Sequence, residues 1–332
     1  MAHVLHGIEK NYDWGSENTL RDMTGGAPGR VAEIWFGTHP QGESRLGGPD
    51  GAPLSSVTGE MHMLVKLLSC DQPLSLQTHP DLAQARRGFA REEAAGVSRD
   101  AATRMYRDES DKPEILVALT TFEALCGFAD LDTSVALLTD IGWHEEAEVL
   151  DENGIDGYLL WAFDQPQPPA PPLGPEWLVR ITAQHPGDRG LRVAPLLNHV
   201  VLEPGDAVSL PAGNLHAYLH GTGLEVMTSS DNVVRAGFTT KHIDVTELLR
   251  IVDTSVLVDP VVRPDADGEW SRYRGPTDRW DVARVRSGRV PADDCVRIVA
   301  LLDERPCTVL VLMPGESFDA DGSPAWVCSQ RG

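Results

Sequence analysis

Within residues 196–250, short apolar runs are cut by tight turns. Leu197–Leu202 reads as a buried strand, Glu203-Pro-Gly205-Asp as a turn and Ala207–Leu210 as a second strand. Pro211-Ala-Gly213-Asn214 turns again, and residues 223–227 form a third apolar run. Strands of this length, closed by Pro-Gly and Gly-Asn turns, predict a small β-barrel or sandwich. His216, two residues after the second turn, is expected to point from the rim into the barrel mouth. The remaining sequence can be read for what it supplies to that histidine.

A chain of 332 residues is too long for one core and long enough for two or three domains. No apolar run reaches the roughly 18–20 residues of a bilayer span, and the first residues lack a signal-peptide pattern. The expectation is a soluble, cytoplasmic monomer. Five cysteines, widely spaced and without a C-x-x-C pair, argue against a disulfide framework and a thiolate zinc site. A net charge of −22 argues against nucleic acid and anionic membranes as partners. Only four of the 28 basic residues are lysines: Lys10, Lys66, Lys112 and Lys241. In so Arg-rich a chain, a lysine is expected where a compact, titratable ammonium serves better than a planar fork.

Asn11-Tyr-Asp-Trp14-Gly and Ala32-Glu-Ile-Trp35-Phe-Gly37 read as strand or turn pieces whose tryptophans line a core or barrel, and His39 reads as structural. Met63-Leu-Val-Lys66-Leu-Leu is a strand with one embedded charge, costly unless that charge is paired, faces a polar cavity or snorkels from an edge. In a strand, Ser75, Gln77 and His79 share one face. Asp81 caps a helix from Leu82 to about Ala95, and residues 101–106 are expected to add a helical turn. Residues 115–119 read as a strand and residues 132–150 as helical. Residues 165–174 are a proline-rich surface loop, and a second β-rich unit follows residue 250.

Gln77, His79, Glu114 and His216 together make an N,N,O,O set. It suits a borderline divalent ion such as Zn²⁺, with positions left for water or substrate. The alternative is a scatter of structural histidines satisfied by hydrogen bonds.

Leu74-Ser-Leu-Gln77-Thr-His79-Pro80-Asp81, Lys112-Pro113-Glu114, Glu123-Ala-Leu-Cys-Gly127-Phe128, Pro211-Ala-Gly-Asn-Leu-His216-Ala-Tyr218 and Ser230-Asp231-Asn-Val-Val-Arg235-Ala-Gly237 occur in this order. With the Tyr12–Ser16 and Ala32–Gly37 segments, they resemble the type I mannose-6-phosphate isomerase (phosphomannose isomerase) family of zinc-dependent cupin enzymes. The resemblance runs from about residue 8 to residue 250 and weakens beyond.

The resemblance implies a mainly β fold with helical insertions: two cupin-type β-barrels (jelly rolls) plus a helical domain. Residues 1–128 and 183–250 would form the catalytic barrel, with a helical insert at 81–107. Residues 129–182 would form the helical domain, and 251–332 a shortened second barrel. It implies one Zn²⁺ held by Gln77, His79, Glu114 and His216. Arg235 would be the catalytic arginine. Trp14, Lys66, Ser75, Lys112, Tyr218, Glu225, Asp231 and Lys241 would line the pocket.

The activity implied is interconversion of mannose 6-phosphate and fructose 6-phosphate through an enediolate, serving mannose catabolism or GDP-mannose synthesis. Lys112 and Asp231 are the candidates for proton transfer. Arg235, always charged, is assigned electrostatic stabilisation, and Lys66, Ser75 and Lys241 are assigned to the phosphate. Asp111 departs from the family, which often has His there. The alternatives are a cupin isomerase of another sugar and an inactive sugar-binding cupin.

Overall fold

A computed structural model describes residues 2–168, 170–171 and 173–331. Pro169 and Pro172 of the proline-rich stretch lie outside the described residues.

The chain is mainly β, built on an eleven-stranded and an eight-stranded sheet, with helices concentrated between residues 131 and 196. The strand pairings close neither sheet into a barrel among the described residues. In the larger sheet, Met63–Cys70 and Glu114–Ala118 flank the second half of the long strand His216–Thr228. Its first half pairs with Phe122–Phe128 and touches Gln77. The sequence reading expected a separate strand at 223–227; one continuous strand carries His216, Tyr218 and Glu225 instead.

Strand alternation sorts side chains to the two faces of this sheet. Ile34, Phe36, Met63, Val65, Leu67, Ile115, Val117, Leu224 and Val226 face a shared core with Tyr273, Trp280, Ile298 and Val311 of the smaller sheet. Their neighbours Glu33, Trp35, Leu64, Lys66, Leu68, Glu114, Glu225 and Met227 point the other way and line a cavity. Packing against the smaller sheet thus decides which polar residues reach the cavity. His3–His6, at the amino end, also pairs with Thr308–Leu312 of the smaller sheet. Near the carboxyl end, Ala325–Gln330 is an inner strand between Trp280–Val285 and Arg297–Leu301.

The helix Leu82–Ala94 forms as its sequence predicts: Asp81 accepts from the Gln84 amide, and the Gln84 side chain returns a bond to the Asp81 amide. Residues 101–106 form no helix. There the Met105 and Tyr106 amides donate to the Glu92 carboxylate, which also meets the buried Arg104 guanidinium. A carboxylate thus takes the amides that a helix would have used. The helical region packs Leu138, Leu150, Tyr158, Trp177 and Leu191 into its own core together with Phe128 and Leu197 from the larger sheet. Among the described residues no helix is long and apolar enough to cross a membrane.

Candidate metal centre

His79, Glu114 and His216 come from three separate segments and are all buried. Glu114 opens the strand Glu114–Ala118, which pairs with the second half of His216–Thr228, and His216 opens that long strand. His79 is held by the turn before His216: the Gly213 amide donates to the His79 carbonyl at 2.8 Å. Gly213 has φ near +80°, and a side chain there would crowd Asp253, so glycine suits this turn.

Each imidazole is oriented by a backbone carbonyl. His79 Nδ1 donates to the Asn232 carbonyl at 2.7 Å, and His216 Nδ1 donates to the Asn214 carbonyl at 3.0 Å. These bonds leave both Nε2 atoms as lone-pair acceptors. They face Glu114 Oε2 at 3.5 and 3.6 Å, too far for hydrogen bonds, and all three atoms are buried without a hydrogen-bond partner. Burial lowers the His79 and His216 pKa values, His216 to about 4, with Lys112 and His79 respectively adding positive charge nearby. Burial opposes the charge on Glu114, but Lys112, 3.0 Å from Oε1, holds it well below the usual carboxylate range. Two neutral imidazoles and a carboxylate converging with unused lone pairs fit a divalent metal such as zinc. Without a cation, three buried acceptors left facing each other would be costly.

Gln77 lies beside this triad. It is the register partner of both His216 and Arg235, lines the cavity and accepts from the Ser75 hydroxyl at 2.9 Å. The four proposed ligands are therefore brought together, although Gln77 already has a hydrogen-bond partner.

The cavity beside the triad has a volume of about 550 Å³. Trp14, Lys66, Ser75, Lys112, Tyr218, Glu225, Asp231, Arg235 and Lys241 all line it. One wall is a closed hydrogen-bond network. Lys66 lies 2.9 Å from Glu225 and 3.6 Å from Glu33, Tyr218 donates to Glu225, and Trp35 donates to Glu33. Burial opposes the Lys66 charge, but Glu225 and Glu33 outweigh it and hold the ammonium above the ordinary lysine range.

Among the cavity residues that the sequence reading did not assign to the site are Arg107, Glu33, His39 and Gln41. Arg107 shares the cavity with Arg235 and Lys241. Burial followed by Arg107 lowers the Arg235 pKa; burial followed by Arg235 and Arg107 lowers that of Lys241. Among the described residues, none of these three cations is in ion-pair contact with a carboxylate. Arg107 is placed by Asn232, whose side chain accepts from the Arg107 amide and donates to the Asp108 and Ser110 carbonyls. One asparagine therefore fixes both His79 and the loop bearing Arg107. The second missed residue is Glu33, described above.

His39, read as structural, faces the cavity with its Nε2 3.4 Å from Asp231, and Gln41 donates to the other Asp231 oxygen at 2.6 Å. Burial works against the Asp231 charge, but His39 outweighs it and lowers the pKa. Asp111 does not line the cavity and pairs with Arg279 at 2.7 Å.

A family profile described as "Phosphomannose isomerase type I, catalytic domain" matches residues 49–131. The mannose-6-phosphate isomerase of Salmonella typhimurium is 35% identical over 295 residues, covering 75% of this chain and 74% of that protein. The chain belongs to the mannose-6-phosphate isomerase family. The Escherichia coli mannose-6-phosphate isomerase is 36% identical over 295 residues, with the same coverage of 75% and 74%. A crystal structure of a mannose 6-phosphate isomerase bound with zinc and yttrium superposes with a TM-score of 0.81 at 30% identity, covering 99% of this chain and 97% of that one.

Proposed function

We infer that the chain interconverts mannose 6-phosphate and fructose 6-phosphate, with one zinc ion held by His79, Glu114, His216 and Gln77. The observation that carries this reading is the meeting of three buried, unpartnered metal-ligand atoms with a cavity that also holds three uncompensated cations. Bound there, zinc supplies a Lewis-acid charge that favours the enediolate oxygens. Lys241 and Arg107 hold the phosphate. Arg235, the register partner of Gln77, stabilises charge developing on the sugar oxygens. Proton transfer between C1 and C2 falls to Lys112 and Asp231: Lys112 contacts Glu114, and Asp231 precedes the asparagine that orients His79. Lys66 already has two carboxylate partners, so it serves the sugar hydroxyls with Trp14, Ser75, Tyr218 and Glu225 rather than the phosphate.

The cupin reading of the two sheets, the division at residues 128, 182 and 250, and a monomeric cytoplasmic enzyme of mannose metabolism belong to the same proposal. The continuous strand His216–Thr228, paired differently along its two halves, supports the cupin reading by wrapping sheet around the cavity.

The test is an assay coupling mannose 6-phosphate to fructose 6-phosphate, with free mannose as comparator. Zinc-loaded protein should turn over the phosphate ester and prefer it by at least about 100-fold. His216→Ala should lose zinc and about 1,000-fold or more in kcat while its fold stays largely intact. Full turnover by zinc-free His216→Ala would sink the assignment, and sugar binding without turnover in the parent would favour the inactive cupin.

A further inference from the structure

Beside the core it shares with the larger sheet, the smaller sheet reaches the segment that carries Lys112 and Glu114. Trp280, buried in the core between the sheets, donates through Nε1 to the Thr228 hydroxyl at 3.3 Å, and the Thr228 amide donates to the Pro113 carbonyl at 3.2 Å. Arg279, next in sequence, reaches the same segment from its other end. Its Nη2 lies 2.7 Å from Asp111 Oδ1, while its Nε donates to the Thr277 hydroxyl at 3.2 Å. The Arg279 carbonyl accepts from the Arg331 amide at 2.7 Å and from His62 Nε2 at 3.0 Å. Arg279 is thus fixed at its backbone and its guanidinium, and the segment Asp111-Lys112-Pro113-Glu114 is gripped at Asp111 and Pro113.

Lys112 lies between two carboxylates in sequence, and only one of them faces the cavity. Its ammonium meets Glu114 at 3.0 Å and lines the cavity, whereas Asp111 does not. An Asp111 without Arg279 would be an uncompensated carboxylate on the adjoining residue, free to draw the ammonium away from Glu114. A fixed guanidinium removes that competition and sets the direction in which Lys112 leaves the backbone. We propose that Arg279 is a positioning residue for the isomerisation: by holding Asp111 against the smaller sheet, it keeps Lys112 aimed into the cavity. This assigns the smaller sheet a role in catalysis beyond packing, and it rests on the reading of the cavity as the isomerase site.

The test uses the full-length, zinc-loaded protein with Arg279→Ala, Arg279→Lys and the exchanged pair Asp111→Arg with Arg279→Asp. Arg279→Ala should lower kcat about 10-fold, with KM for mannose 6-phosphate within about 2-fold and zinc content unchanged. Arg279→Lys should recover kcat to within about 3-fold, because the charge is kept and the fork is lost. Unchanged kcat in Arg279→Ala would overturn the proposal. So would a fall in kcat matched by lost zinc or a raised KM, since Arg279 would then be supporting the fold. A readout independent of turnover is amide hydrogen exchange across residues 108–116. It should quicken about 10-fold in Arg279→Ala and return toward the parent rate in the exchanged pair. Should the parent fail to isomerise mannose 6-phosphate, the functional reading falls, and the exchange experiment still decides whether Arg279 orders this segment.

Discussion

Two walls of the same cavity contain lysine, and the two lysines sit in opposite surroundings. Lys66 is enclosed by Glu225 and Glu33 in a network closed by Tyr218 and Trp35, and its charge is over-stabilised. Lys241 is exposed at its position beside Arg235 and Arg107, and its charge is disfavoured. The first wall is complete in itself, so its polar groups spend their interactions on each other. The second is incomplete: among the described residues its cations make no ion pair with a carboxylate, and His79 Nε2, Glu114 Oε2 and His216 Nε2 have no hydrogen-bond partner. In a folded protein such deficits mark where something else binds. A cation deficit next to an anion deficit suits one metal and one phosphate ester.

The comparison breaks most sharply if the two lysines are truncated. Lys66→Ala leaves Glu225 and Glu33 buried without their counter-charge, which costs about 3–5 kcal/mol of stability. The expected readout is a large fall in the urea midpoint. Lys241→Ala removes a charge that the protein itself does not use. It should leave the urea midpoint nearly unchanged and raise KM for mannose 6-phosphate about 10-fold, with free mannose unaffected. If Lys241→Ala proves the destabilising change and Lys66→Ala the KM change, the assignment of the two walls is reversed.

Acid should expose the incomplete wall next. The His216 pKa is about 4 in the folded chain and near 6.5 when unfolded, so the unfolded state binds the extra proton between those values. Stability from this group is therefore intact above about pH 6.5 and lost as pH falls toward 4. The metal-free parent should lose about 1–3 kcal/mol across this window, and His216→Gln should lose less. Saturating zinc, which requires neutral imidazoles, should move the fall to lower pH. Urea titrations at pH 7, 6 and 5 read this directly; identical profiles for the parent and His216→Gln would mean that His216 is not held neutral by burial.

The sequence makes these two deficits visible to different degrees. Gln77 and His79 share a strand face, and His216 follows a turn, so local patterns with motif resemblance were enough to assemble the triad. The buried charge of Lys66 was legible as a problem needing a partner; its partners, Glu225 and Glu33, come from other strands whose alternation is set by packing on the smaller sheet. The pairing of His3–His6 with Thr308–Leu312 is a long-range contact that no local pattern encodes. The missing helix at 101–106 reflects capture of its amides by Glu92 from the preceding helix. Arg107 was hidden for a related reason. It stands in Arg107-Asp-Glu-Ser-Asp111, a stretch that reads as solvated charge, and its loop is turned toward the cavity by Asn232, 125 residues away, together with Ser230 and Asp231 on Asp108.

That hidden residue gives the smallest expected effect and the finest test of the incomplete wall. Arg107 adds a third cation to a site that Arg235 and Lys241 already make positive, and it raises the repulsion each feels in the empty state. Removing it should therefore act in two directions: one phosphate contact is lost, and the remaining cations lose a repulsive neighbour. Arg107→Ala should raise KM for mannose 6-phosphate only about 3-fold, with kcat and zinc content close to the parent. Because the contact is electrostatic, the penalty should shrink as ionic strength rises. A KM penalty that persists undiminished in high salt would mean that Arg107 contributes shape to the cavity rather than charge, and the anion site would then contract to Arg235 and Lys241.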